Sequence, residues 1–315
     1  MDREDGLLDT PGQETEVNAP EGPAPRRPSP EALAAIVAAH KTWLKSKGVE
    51  GQGADLRNAD LSEASLRGAD LQRALMTGAD LSRADLRGAN LRKLDLQGAC
   101  FAKADLTGAS LTLANLRDVN LSDVRARRAD FSRTDLCHAD LSGASLQGAD
   151  LSRALLREAD LRRAYARDAS FADADLSGCR GLLIGQLGGA NLGGAILPPE
   201  LKFEGLANVA EVSKGTQNLF TSVLLVCAYT WLTIASTIDA QLLNNAAPVA
   251  SRLPILGTDI PLIRFYAVAP LLLLCMYIYF HMGLQRLWEE LADLPAVFPD
   301  GRPLDKKAYP WLLNV

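Results

Sequence analysis

The chain has 315 residues, 48% of them hydrophobic but only 6% aromatic, and a formal net charge of -5; its mean hydropathy is +0.01. That length admits one large domain or two ordinary ones, and the balance excludes both a strongly basic general nucleic-acid binder and an acidic disordered chain. Aromatic residues normally supply much of a buried core, so either the core is built from small residues or the average mixes unlike parts. The five cysteines (Cys100, Cys137, Cys179, Cys227, Cys275) form no CxxC pair and no secreted framework. The opening MDREDGLLDT has neither a basic nor an apolar signal region, which predicts a reducing cytosolic setting.

Residues 1–28, rich in Pro, Glu, Asp and Gly, read as a disordered acidic tail. Residues 29–53 read as a helix and lead-in. Ser29 is suited to the N-cap, Pro30 to the first turn and Glu31 to the positive end of the dipole. Leu33, Ile36, Val37, His40 and Leu44 follow at helical spacing, and Gly48 ends the helix. This helix has an apolar face and no neighbouring helix to bury it, so the following segment must cover it.

From Ala54 to Leu197 the text repeats every five residues: ADLRN, ADLSE, ASLRG, ADLQR. Between Leu56 and Leu176 there are 25 centres, of which 19 are Leu, three are Phe, one is Met76 and two are Ala. Ala stands two residues before 21 of the 25. After Leu176 the phase slips by one residue and resumes at Leu182, Leu187, Leu192 and Leu197. A helix would spread such leucines around its circumference, and a straight strand would alternate them between faces. Only a chain that turns once per repeat keeps them on one side. With turns of about 90°, four repeats close a square coil, and the coils stack about 4.8 Å apart into a solenoid. The structural core is then Leu56, Leu61, Leu66, Leu71, Leu81, Leu86, Leu91, Phe101, Phe131, Leu136, Leu141, Leu151, Leu161 and Phe171. Ala126 and Ala166 each precede a Phe centre, which reads as volume compensation along the axis.

The A-(D/N)-L-x-x run over residues 54–197 resembles the pentapeptide-repeat family, and HKTWLKSKGVEGQGADL resembles the helical lead-in of some members. The resemblance implies a mainly β fold, a right-handed quadrilateral β-helix, with the N-terminal helix capping its open end. Some soluble members of that family resemble duplex DNA and bind type II topoisomerases through acidic rods. Here residues 54–197 carry 19 acidic and 19 basic side chains, so DNA mimicry is not expected and no nucleic acid is expected as partner.

Residues 198–217 read as a linker. Within 218–285, the uncharged apolar runs Leu219–Ile238 and Phe265–Leu284, in helices of about 218–239 and 264–284, are each long enough to cross a ~30 Å hydrocarbon layer. Lys202 and Lys214 precede them, and Arg286, Arg302, Lys306 and Lys307 follow, against Arg252 and Arg264 in the loop. By the positive-inside rule this predicts a transmembrane helical hairpin with both termini cytoplasmic, in a bacterial inner membrane. Residues 286–315 read as a helix end and a Pro-rich tail packed on the surface.

No catalytic, cofactor-binding or metal-ligating constellation emerges, and the chain reads as a non-enzyme with no cofactor. His40, His138 and His281 lie in separate segments, and no P-loop, GxGxxG or GxSxG is present. The Asp before each centre reads as an outward, solvated position, and Cys100 and Cys137 as surface thiols. Two outward rows read as an interaction stripe: Arg67, Arg87, Arg127 and Arg167, and beside it Arg73, Lys93, Arg133 and Arg153. Thr230, Thr233 and Thr237 recur at helical spacing as a helix-packing stripe, within the hairpin or between copies of the chain in a homo-oligomer. The expected function is a membrane-anchored, non-enzymatic scaffold whose rod meets a protein partner or anionic lipid. An accessory subunit of a membrane transport or secretion complex is the alternative.

Overall fold

The computed structural model describes residues 27–203, 205–235, 250–252 and 259–308. The expected acidic tail lies outside these residues except for Arg27 and Pro28.

Helix α1 spans Pro30–Lys45, and Ser29 caps it by accepting the Ala32 N–H at 3.2 Å. Its buried Leu33, with Ile36 and Val37 beside it, packs on the first coil of the rod. The chain then folds back along the helix at Gly51, whose φ of +81° favours glycine. A Cβ there would lie 2.4 Å from the Ala39 carbonyl oxygen, so no other residue fits. His40 is fully buried and ties the helix to the rod. Its Nδ1 accepts the Ala54 N–H at 3.0 Å, and its Nε2 lies 3.0 Å from the Gln72 carbonyl. An amide donating to Nδ1 and a carbonyl facing Nε2 together select the Nε2–H tautomer.

The repeats wind as a four-walled coil. Asp60 bridges Asp80, and the same wall climbs in steps of 20 residues through Cys100, Asn120, Asp140 and Asp160 to Arg180. Each wall is a ladder of isolated bridges, because five residues per side leave no length for an extended strand. The repeat 80–84 accounts for all five of its amides. Asp80 N–H donates to Ala59 O at 2.9 Å, Leu81 to Cys100 O at 2.7 Å and Arg83 to Ala102 O at 2.9 Å. Ala84 N–H closes the turn on Leu81 O at 3.1 Å, and Ser82 N–H donates to the Asp80 carboxylate at 2.9 Å.

The second residue after every centre from Leu56 to Leu176 is left-handed, with φ between +51° at Asn58 and +70° at Gly78 and Gly98. Each corner is therefore a turn with positive φ at its third residue. The centres named above are at most 2% exposed, and three of the rod's four aromatic residues, Phe101, Phe131 and Phe171, fill its axis. The phase slip falls between Arg180 and Gln186. Asp160 and Arg180 bridge 20 residues apart, whereas Ser170 and Asn191 bridge 21 apart.

Helix α2 (Gly205–Ala235) leaves the last coil, and α3 (Leu262–Ala292) returns to it. Before α3, strands β1 (Ala250–Arg252) and β2 (Asp259–Pro261) pair antiparallel. At 31 residues each, the helices are about 46 Å long. They cross closely at Gly283, where an added Cβ would lie 3.2 Å from Thr216 Oγ1.

The segment after α3, expected to pack on the surface, instead extends the coil. Val297 bridges Asn191, Leu192 N–H donates to Val297 O at 2.8 Å, and Gly194 N–H to Pro299 O at 3.0 Å. Phe298 is fully buried and meets Phe203 edge-on at 5.2 Å. Gly301 N–H then closes a turn on Phe298 O at 2.9 Å with the same hydrogen-bond step as the array's corners, but the left-handed residue here is Gly301, one position later than in the array. A short helix, α4 (Leu304–Ala308), follows.

Candidate interaction surfaces

The acidic rows were expected to be solvated positions, but they are part of the turn. An Asp or Asn one residue before the centre accepts the N–H two residues on, as in Asp60 to Ser62 (3.0 Å), Asn120 to Ser122 (3.0 Å) and Asp150 to Ser152 (2.9 Å). That amide is the one the ladder leaves without a backbone acceptor, so the carboxylate completes the coil. Several carry a second bond. Asp85 binds Arg87 Nη2 at 2.6 Å, and Asp160 binds Arg162 Nη2 at 2.5 Å. The guanidinium beside Asp85 holds its pKa down at about 2, and Arg57 does the same for Asp55. Among the described residues, no three His, Cys, Asp or Glu side chains are grouped to hold a metal ion.

The basic rows divide. Arg87 is engaged by Asp85, and Arg153 by Asp173 at 3.4 Å. Arg167 turns to the chain's own helix end, donating to the Ala292 carbonyl at 2.7 Å with Asp293 at 3.7 Å. Arg127 reaches the Ser145 hydroxyl at 3.4 Å. Arg67, Arg73, Lys93 and Arg133 are exposed, and Arg73, Lys93 and Arg133 occupy left-handed corners that point outward. The two rows are thus a broken stripe, partly neutralised by the acidic turn residues.

Cys137 departs from its expected surface position. It is 5% exposed, and burial together with the Asp135 carboxylate raises its thiol pKa. Burial raises Cys179 further, to about 11.

The hairpin presents aliphatic and aromatic side chains outward. Leu225, Trp231, Leu271, Tyr277 and Tyr279 are each at least 60% exposed. Its spans run Asn208–Ile234 and Ala267–Ala292, and both are long and apolar enough to cross a membrane. Ser213, Thr216 and Thr233 are buried. Thr230 donates to the Val226 and Cys227 carbonyls, and Thr233 to Tyr229 O at 2.9 Å. Thr237 lies outside the described residues. At the hairpin's base, Val209, Leu287, Leu291 and Leu294 form a second small core against Ile184 of the rod.

The sequence reading missed the docked rung. Its signal was present: Ala296 stands two residues before Phe298, the spacing of the array, about 100 residues downstream.

The Pentapeptide repeats family matches in eight copies, over residues 52–78, 74–112, 114–153 and 144–180. HetL, a pentapeptide repeat protein involved in heterocyst differentiation regulation from the cyanobacterium Nostoc sp. strain PCC 7120, is 32% identical, covering 47% of this chain and 80% of its own, with a TM-score of 0.19. A trypsin-treated QnrB1, a plasmid-mediated fluoroquinolone resistance protein, is 26% identical over 38% of this chain and 69% of its own, with a TM-score of 0.26. Rfr23 from the cyanobacterium Cyanothece 51142 is 29% identical over 35% and 63%, with a TM-score of 0.16. No curated protein matches. With eight repeat copies matched between residues 52 and 180, the chain belongs to the pentapeptide-repeat family.

Proposed function

We propose that the protein is a membrane-anchored, non-enzymatic scaffold that holds a right-handed pentapeptide-repeat rod at the cytoplasmic face of a bacterial inner membrane. The observation that carries this reading is the exposed apolar surface of the hairpin: of the most apolar stretch of each span, only 11% and 0% of residues are buried. A soluble protein seldom leaves so large a contiguous apolar surface bare, and lipid is the solvent that suits it. Both ends of the hairpin meet the same end of the rod, which is the arrangement expected of a rod lying on one side of a bilayer. The excess of Lys202, Lys214, Arg286, Arg302, Lys306 and Lys307 over Arg252 and Arg264 supports the cytoplasmic side.

The scaffold reading is supported by the chemistry of the rod. Its recurring carboxylates are engaged in holding turns, and its outward side chains present a rigid, mixed-charge surface suited to a protein partner. The test is carbonate-resistant fractionation of the full chain. It stays with the membrane pellet if the hairpin spans; release into the supernatant overturns the reading.

A further inference from the structure

One run of three rungs breaks the rule that builds the rod. On the wall carrying Arg67 and Arg87, the positions before the centre should hold the Asp or Asn that accepts the turn amide. At three successive rungs they hold Arg125, Ser145 and Tyr165, bridged one above the next. Departures elsewhere between residues 55 and 175, such as Leu75, Cys100, Ser110 and Leu155, are isolated on their walls. A local rule abandoned in three consecutive layers of one face marks a surface shaped for something other than folding.

The replacements share a chemistry. Tyr165 is 66% exposed, while the rod's other aromatic residues are fully buried. It borders a depression of about 490 Å³ lined by Arg125, Arg127, Ser145, Gln147 and Arg167, with Asp123 the one acidic side chain against three arginines. Arg127 and Arg167 stand two rungs apart, about 10 Å, a span that two long guanidinium side chains close around one anion. Arg125 and Arg167 have loose carboxylate contacts at 3.5 and 3.7 Å, and Arg127 has a hydroxyl. Arg125 and Arg127 can turn to a ligand without losing a tight pair, while Arg167 keeps its 2.7 Å bond to the Ala292 carbonyl and offers its remaining N–H groups. Arginine forks match phosphate geometry, and the Tyr165 ring supplies an apolar wall beside them.

We propose that this depression is a binding site for a phosphate group, carried either by an anionic lipid headgroup or by a soluble phosphorylated compound. The site goes beyond the scaffold reading and does not depend on the hairpin spanning a bilayer. The lipid source is within reach because Arg167 already touches the end of α3 at Ala292.

The test uses the full chain in detergent micelles with two probes. Inorganic pyrophosphate is titrated calorimetrically, and phosphatidic acid is counted by native mass spectrometry against phosphatidylcholine. The expected result is one saturable site for at least one probe, weakened at least tenfold in the Arg127→Ala/Tyr165→Ser double variant. The Arg73→Ala/Arg133→Ala double variant removes two positive charges, against one, from the adjoining wall and should change affinity less than twofold. Phosphatidic acid binding without pyrophosphate binding assigns the headgroup; pyrophosphate binding assigns the soluble source. No saturable binding of either probe, or equal loss in both double variants, overturns the proposal. All four substituted residues are exposed, and an unchanged circular dichroism spectrum checks that each variant folds.

Discussion

Replacing His40 with Leu tests how the rod is closed at its N-terminal end. Leucine keeps an apolar side chain in the buried space but removes both ring nitrogens. The Ala54 N–H then loses its acceptor and the Gln72 carbonyl its facing donor, each at 3.0 Å in the native protein. Leaving a buried polar group unpaired costs roughly 1–3 kcal/mol. Because Gln72 O is only partly buried, the sum is about 2–4 kcal/mol. The loss should be local, since a solenoid coil contacts only its neighbours. Native-state hydrogen exchange resolves this. The Leu56 amide, bonded to Leu75 O at 2.8 Å, should lose about 30- to 1,000-fold in protection, at 1.4 kcal/mol per tenfold. The Leu141 amide, bonded to Asp160 O at 2.9 Å, should be unchanged. Protection of the first coil within threefold of wild type, or an equal loss along the whole rod, would refute the assignment of His40 as the latch.

The left-handed corners make a paired prediction. Leu113 sits at φ +62° and Gly108 at φ +66° with open space where a Cβ would project, so Leu113→Gly should stabilise by about 0.5–1 kcal/mol and Gly108→Ala should destabilise by about 1 kcal/mol in denaturant titrations. Acid should weaken the coil. The folded pKa values of Asp55, Asp85, Asp130, Asp135, Asp160 and Asp175 are lowered, so their stabilisation is full above the unfolded value near 4 and is lost as pH falls toward about 2, where Asp55 and Asp85 titrate. Asp55→Asn/Asp85→Asn keeps the turn acceptor and should flatten the acid limb of a thermal-melt series; an unchanged limb would locate the acid sensitivity elsewhere. Phe298→Ala should cost about 3–5 kcal/mol at the docked rung, exposing residues 294–303 to subtilisin while leaving membrane fractionation unchanged. Resistance equal to wild type would show that this rung is held by its backbone ladder alone.

Much of the coil was legible because its period admits one geometry. Five residues per repeat force a turn, and the turn dictates that Leu and Ala point inward. The slip after Leu176 appears as the change from 20- to 21-residue bridge spacing. What the sequence concealed was the purpose of residues whose type is common on any surface. Asp60 or Asp150 looks like solvated charge until the orphan amide two residues on is counted. Arg73 and Leu113 give no sign of left-handed backbone, because Gly, Asn and Asp are the residues that advertise it. Cys137 was placed outward by its register, yet neighbouring turn side chains cover it. The rung at Ala296–Asp300 escaped because one repeat alone carries no periodicity. Its Ala-x-Phe spacing becomes informative only beside an open coil end. At the candidate phosphate site, Arg127 and Arg167 were picked out by charge, whereas Tyr165 gains meaning only from the ladder that sets it above Ser145 and Arg125.

The docked rung also imposes an order of events. Asn191 and its partner Val297 are 106 residues apart (297 − 191), so during synthesis the coil waits several seconds with its last layer bare, at ribosomal rates of about 5–20 residues per second. Closing a loop of that length is entropically slow unless its ends are held together. The antiparallel pairing of α2 with α3 does this by returning the chain to where it left. The solenoid is therefore completed after its hairpin, and a chain whose helices fail to pair keeps an unsealed edge, a surface open to aggregation and to quality-control proteases.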